Sequence, residues 1–280
     1  MKEKLNILIL GQNGFIGKNV FSFFKKKKFN LLKYSKKKEI LDLIKKTDVI
    51  INCAGNNKEN FYKDNVFFLK TILNKISNKK IYFIQISSLS IYAYNLNSVT
   101  NINQITEQSI KKPISIYGKS KLSAENEIQK FKSNKNFNYT ILRIGSIEDK
   151  ENKNRFLTAL RKIIRLNFFI YLDNKETILN ILNLNKLNKI LYLSLTSKLF
   201  YNNIFNLCEN ISLEKFLLRN SKYSYFFYIN ITNKIIINFI LNSLSKIFNL
   251  EKNKLNYLFS KNFYSNKKIN TILKRYNKLI

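Results

Sequence analysis

The chain has 280 residues, 45% of them hydrophobic, and a net charge of +33 from 50 Lys and Arg against 17 Asp and Glu. It contains no histidine, which excludes Ser-His-Asp triads, histidine zinc sites and imidazole acid–base chemistry. The charge would suit a nucleic acid or an acidic membrane surface, but only six of the basic residues are arginine. Lys, Asn, Ile, Phe and Tyr are enriched together, as AT-rich coding would do, so no specific nucleic-acid partner is expected. The two cysteines, Cys53 and Cys208, have no metal-like spacing; no metal is expected, and both read as reduced thiols of a cytoplasmic protein.

Residues 5–10 are a short apolar run that ends at Gly11 and predicts a buried strand. The run is too short for a secretory signal. After it comes G-x-x-G-x-x-G, with Gly11, Gly14 and Gly17, then a segment whose cations gather at its end, as in a helix. Only six glycines exist in the chain, and three stand here. Strand, glycine turn and helix in that order make a phosphate-binding turn: the glycines let the backbone approach a pyrophosphate, and the helix N-terminus offers N–H groups and a positive dipole end. Gly11, Asn13, Gly14, Phe15, Ile16 and Gly17 are therefore candidate cofactor residues.

A second strand is expected over residues 29–35, with a helix over 37–46. In a dinucleotide site an acid ending the second strand binds the ribose hydroxyls. Here stand Tyr34, Ser35 and Lys36, followed by Lys37 and Lys38, with no carboxylate before Glu39. A hydroxyl followed by lysines suits a 2′-phosphate, so NADP is favoured over NAD. Residues 48–55 predict a third strand that closes on Ala54 and Gly55, both candidates for the cofactor site. A helix through residue 76 and a strand ending in Ser87 and Ser88 follow. Residues 116–132 predict a helix and 137–145 a strand. Apolar strands alternating with helices indicate an α/β, Rossmann-type, doubly wound parallel sheet.

On the helix at 116–132, Tyr117 and Lys121 share one face. A nearby ammonium favours tyrosinate, which allows a tyrosine to serve as general acid–base where histidine is absent. Five Y-x-x-x-K matches occur in this lysine-rich chain, but only the one at Tyr117 follows a serine-ended strand.

The order of these segments resembles the extended short-chain dehydrogenase/reductases that modify nucleotide sugars, the NAD-dependent epimerase/dehydratase group. The motifs that carry it are "GQNGFIG", "VIINCAG", "ISSLSIYAY", "KPISIYGKSKLSAE" and "TILRIGSI". All six glycines and the sole proline, Pro113, fall on or beside them. The resemblance implies that Tyr117 exchanges the proton of a sugar hydroxyl. Lys121 would bind the nicotinamide ribose and tune Tyr117, and Ser88 would hydrogen-bond the reacting oxygen, with Asn65 in support. It also implies a nucleotide-sugar substrate and a homodimer through two helices of the cofactor half. Family dehydratases carry an Asp-Glu pair where this chain has Leu89 and Ser90, which argues against elimination. A nucleotide-sugar epimerase and a 4-ketoreductase both stay open, with surface polysaccharide synthesis as the setting. Reduction of a non-sugar carbonyl and a catalytically idle dinucleotide sensor or scaffold are the other readings. The usual third strand of the family has no counterpart between Gly17 and Gly55.

Residues 1–150 are expected to form the dinucleotide-binding domain. Residues 151–280 would form a smaller, mainly helical substrate lobe, with segments near 176–209 returning to the first domain. Helices are expected over "NRFLTALRKIIRL" and residues 181–195, and a strand over 203–209. Residues 233–250 are apolar but broken by Asn, Ser and Lys, so a core helix is expected there and no membrane span.

Overall fold

The computed structural model describes residues 4–36, 38–55, 62–76, 79–92, 103–148, 155–164, 168–172, 177–221, 227–231, 233–247 and 261–278. The expected boundary at residue 150 lies outside them.

The chain opens with β1 (Asn6–Leu10), α1 (Phe15–Lys25), β2 (Asn30–Leu32), α2 (Glu39–Leu43) and β3 (Val49–Asn52). A π-helical turn at Lys63–Phe67 leads into α3 (Phe68–Lys75), then β4 (Ile81–Ser88) and a short β5 (Asn103–Ile105). Next come α4 (Ile116–Lys130), β6 (Phe137–Ile144), β7 (Ser146–Glu148) and α5 (Arg155–Ile164). The second half continues with β8 (Phe168–Leu172), β9 (Ile178–Asn183), α6 (Leu184–Thr196), β10 (Asn203–Leu207) and β11 (Glu209–Ser212). It ends with α7 (Leu213–Asn220), β12 (Phe227–Ile231), α8 (Lys234–Ile247), β13 (Asn262–Tyr264) and α9 (Lys267–Asn277).

Six strands form one parallel sheet in the order β10-β6-β4-β3-β1-β2. β2 is its edge, so the sheet ends where the family's usual third strand would continue it. Strand alternation sorts the core into two layers. Ile7, Ile9, Val49, Ile51, Ile84 and Leu142 face Val20 and Phe24 of α1 and Leu187 and Leu191 of α6. Leu8, Leu10, Ile50, Phe83 and Ile141 face Ile40, Leu69 and Ile72 of α2 and α3, with Ala124 and Ile128 of α4. Helices on both faces are what largely apolar parallel strands require, because neither side of the sheet can meet water.

The second half departs from the expected elements in two places. Short strands went unread: β9 lies between β7 and β11, and β8 pairs with β12. The helix expected from residue 181 begins only at Leu184, where Asn183 caps it by accepting from Asn185 N–H. The segment from residue 233 does form a helix, but it is not the core helix expected. In α8, Leu241 is buried, whereas Ile235, Ile236, Phe239 and Ile247 are exposed, Ile235 at 80%. Among the described residues, no helix is long and apolar enough to cross a membrane.

Candidate active site

The candidate residues gather at the carboxyl ends of the parallel strands. The sheet order reverses between β1 and β3, the crevice where open α/β sheets take their ligands. The loop after β1 lies there, packed on the end of β3. Gly11 has a φ of +76°, and a Cβ on it would come within 2.7 Å of the Ala54 backbone. A Cβ on Gly17 would meet Gly11 O at 2.0 Å, which no relaxation of a side chain can relieve. These two glycines are thus required by the turn itself. Gly14 differs: it is the N-cap of α1 in extended conformation, and a Cβ there meets only Gly11 O, at 3.2 Å. No side chain caps this helix end and no acid stands in its first turn. Asn13, Phe15 and Ile16 complete the loop, with its dipole end set for an anion.

A dinucleotide fits this cradle by its shape and charge. The β2 side of the crevice is arranged differently from the sequence reading. Tyr34 does not present its hydroxyl outward: Gly11 N–H donates to it at 2.9 Å. Gln12 Nε2 donates to the Tyr34 carbonyl, so the phenol and the glycine loop brace each other. Ser35 and Lys36 are exposed. The Glu39 carboxylate reaches back from α2 and accepts the Ser35 N–H at 2.9 Å. Reading the strand end alone missed it, because a side chain one helical turn later fills the place.

The second cluster centres on α4. Ser115 caps the helix by accepting from Gly118 N–H. Gly118 sits so close to the end of β4 that a Cβ on it would lie 2.3 Å from Ser90 O. That contact packs the first turn of α4, which carries Tyr117, on the turn that follows the serine strand. Lys121 is buried; its Nζ donates to Ile86 O at 3.2 Å and lies 5.8 Å from the centre of the Tyr117 ring. Burial lowers its pKa to about 8, against the pull of Cys53 and Glu125. Cys53 lies half-buried near Lys121, and burial pushes its thiol up to about 12. Both cysteines are free thiols.

Asn65, on the π-helical turn, is buried and donates to Ser120 Oγ, which itself donates to Tyr117 O. A Cβ on Gly55 would come within 2.8 Å of Asn65 Oδ1 and 3.0 Å of Lys121 Nζ. The glycine therefore keeps open the space in which that ammonium sits. Ser88 ends β4, and its Oγ accepts from both Ser90 N–H (3.2 Å) and Ser90 Oγ (2.9 Å). A hydroxyl has two acceptor lone pairs and one donor. With both lone pairs engaged, Ser88 is left to donate.

Sequence reasoning missed what holds α4 in place. Arg143 of β6 and Glu125 of α4 are both fully buried and paired through Nη2 to Oε2 at 2.8 Å, with Nε bridging both carboxylate oxygens. Arg143 Nη1 donates to Tyr92 Oη and Glu107 O, and Ser87 Oγ donates to Glu125. Glu125 and Tyr92 outweigh the opposing effect of burial and raise the Arg143 pKa. The "LR" of the strand and the Glu ending "KSKLSAE" were visible signals of this pair.

With this geometry, the comparisons define the class. The profile of the NAD dependent epimerase/dehydratase family matches residues 7–176, and the chain belongs to that family. It is an enzyme class of NAD(P)-dependent epimerases and reductases of the extended short-chain dehydrogenase type. Curated proteins give no match to the sequence. Among solved structures, the chain is similar to UDP-glucuronic acid 4-epimerase from Bacillus cereus in complex with NAD. The TM-score is 0.64 at 16% identity, over 92% of this chain and 95% of that one. It is also similar to UDP-glucose 4-epimerase from Thermotoga maritima with UDP-glucose, at TM-score 0.62 and 17% identity over 82% and 87% of the two chains. A third is dTDP-4-dehydrorhamnose reductase from Bacillus anthracis in complex with NADP, at TM-score 0.64 and 18% identity over 84% and 86%. At these identities the likeness is one of fold.

Proposed function

We propose that this protein is an NAD(P)-dependent nucleotide-sugar epimerase or 4-ketoreductase that acts at a sugar carbon with Tyr117 as acid–base. The observation that carries the reading is the α4 cluster. Tyr117 and a buried Lys121 stand one helical turn apart, Gly118 between them packs on Ser90 just past Ser88, and Lys121 Nζ lies against Gly55 at the end of β3.

When bound, a dinucleotide would supply hydride exchange at the sugar carbon. Gly14, Phe15 and Ile16 would hold its pyrophosphate at the α1 N-terminus, and Lys121, for which Gly55 leaves room, would hold its ribose. Tyr117 takes the proton of the reacting hydroxyl, or returns it. The Lys121 ammonium lowers the cost of the phenolate, and its donation to Ile86 O fixes its direction. Ser88 donates to the oxygen on which negative charge grows. The neutral positions Leu89 and Ser90 are both buried, so they offer no acid and base for an elimination. The similar solved structures include UDP-sugar epimerases and dTDP-4-dehydrorhamnose reductases, which supports both routes. Two free thiols suit a reducing compartment, and the cytoplasm is the proposed setting, with surface polysaccharide synthesis as the use.

The test is to incubate the purified protein with a panel of UDP- and dTDP-sugars and follow the anomeric protons by NMR. An epimerase yields a second sugar with no net change in cofactor; a reductase consumes NADH or NADPH with a 4-keto sugar. No conversion of any member by either route contradicts the reading.

A further inference from the structure

Two features stand outside the candidate active site: the net charge of +33 and the helix α8. We propose that α8 is a membrane-docking element. Its outward apolar face enters the interface of an anionic lipid surface, to which the basic charge of the chain draws it. The inference does not rest on the proposed activity.

Asn233 caps α8, its side chain accepting from Ile235 N–H at 2.9 Å and from Ile236 N–H at 3.4 Å. Leu241 is buried and Ile240 and Leu244 are half-buried, which marks the side packed on the protein. Ile235, Ile236, Phe239 and Ile247 stand on the other side, with Phe239 72% and Ile247 71% exposed. At 3.6 residues per turn these four fall within about 120° of the circumference, centred opposite Leu241, and run about 18 Å along the axis. Lys246 is exposed in the same stripe, with Asn238 and Asn242 along one margin. A continuous apolar stripe turned to solvent marks a docking surface. Among the described residues no helix is long and apolar enough to cross a membrane, so α8 would lie in the plane of the interface.

Charge decides between the possible occupants. Two copies of a chain at +33 repel each other, whereas an anionic bilayer attracts it. The attraction is strongest in this part of the sequence. Residues 215–280 hold 13 Lys and Arg against a single acid, Glu251, while residues 1–214 hold 37 against 16. Coding bias explains why lysine and isoleucine are common. It does not explain why isoleucines face outward on a helix without a carboxylate. Basic residues bring a protein to anionic headgroups, and apolar side chains then hold it there; either anchor alone is marginal. The inner leaflet that faces the cytoplasm carries such lipids.

The experiment is co-sedimentation of the purified full chain with vesicles of phosphatidylcholine alone, and of phosphatidylcholine and phosphatidylglycerol at about 2:1, in about 0.15 M salt. Ile235→Ser/Phe239→Ser removes two exposed apolar side chains and no charge. Phe239→Trp places a reporter on the face, because the chain has no tryptophan of its own. Wild type is expected to bind the mixed vesicles at least about tenfold tighter than phosphatidylcholine alone, and the double-serine variant to lose at least about tenfold on the mixed vesicles. Tryptophan emission at position 239 is expected to shift to the blue on the mixed vesicles. No binding to the mixed vesicles overturns the inference, and so does equal binding to both kinds. Unchanged binding of the serine variant means that the lysines adsorb without α8 and overturns it as well. So does a wild-type dimer, seen by light scattering, that the serine variant dissociates while neither binds vesicles, because the face then belongs to a second copy. If the serine variant does not fold, the tryptophan decides: emission unshifted in vesicle-bound protein contradicts the docking of α8.

Discussion

Removal of one partner from the Arg143–Glu125 pair should be among the most damaging single changes in this protein. Both side chains are fully buried. In Glu125→Leu, Arg143 keeps Tyr92 Oη and Glu107 O but loses every contact of Nε and Nη2, and its charge stays in the core. In Arg143→Met, the Glu125 carboxylate is left with Ser87. An unpaired buried charge of this kind costs about 3–5 kcal/mol. For a chain of this size that is a drop in Tm of about 5–9 °C. The double variant Arg143→Met/Glu125→Leu removes both charges, so it should recover part of the loss, with a coupling of about 2 kcal/mol. Urea unfolding followed by far-ultraviolet circular dichroism gives all four corners of the cycle. Single variants within about 1 kcal/mol of wild type, or a double variant equal to the sum of the singles, would refute the reasoning. The pair joins β6 to the helix that carries Tyr117 and Lys121, so the single variants should also lower turnover in the fraction that remains folded.

Gly14→Val should abolish dinucleotide binding at a smaller cost in stability than a substitution at Gly17, because a Cβ at Gly14 meets only Gly11 O, at 3.2 Å. Gly17→Ala should instead lose several degrees, because its Cβ would overlap Gly11 O; equal effects of the two on stability would contradict this division. The folded-state pKa of Lys121 is lowered from 10.5 to about 8. Between those values the unfolded chain binds the extra proton, so this group makes the fold more stable as pH rises through that window. Stability measured against pH for wild type minus Lys121→Met should therefore rise from about pH 8 upward; a flat or falling difference would show that Lys121 is not held desolvated. Turnover should fall over the same range as the ammonium beside Tyr117 is lost, measured as the alkaline limb of kcat against pH.

The main sheet was legible because its inner strands are largely apolar and several end at chemical landmarks. Leu10 runs into Gly11, Asn52 leads to Gly55, and β4 closes on Ser88. The glycines could be read because the composition of the chain removes glycine elsewhere, and the shortened β2 edge because the stretch between α1 and β3 holds only one short strand and one short helix. Other features were hidden for physical reasons. The Glu39 carboxylate reaches from α2 to Ser35 N–H past the end of β2, a side-chain reach that strand-by-strand reading does not register. The Tyr34 hydroxyl looked free and is taken by a backbone N–H across the crevice. β9 is followed without a gap by α6, and the apolar run through both has no period that divides them until Asn183 serves as cap. In α8 Leu241 is buried while Ile235, Ile236, Phe239 and Ile247 face outward, and spacing alone does not tell which side a helix turns to the core.

The central claim is that Tyr117 moves the proton while the rest of the site only holds the reactants. It is tested most directly by Tyr117→Phe, with turnover of the substrate found in the sugar panel measured beside dinucleotide affinity on the same preparation. The account predicts a loss of turnover of at least about a hundredfold, the scale of general acid–base catalysis, with cofactor affinity within about twofold of wild type. Turnover near the wild-type level with the phenylalanine in place would contradict it.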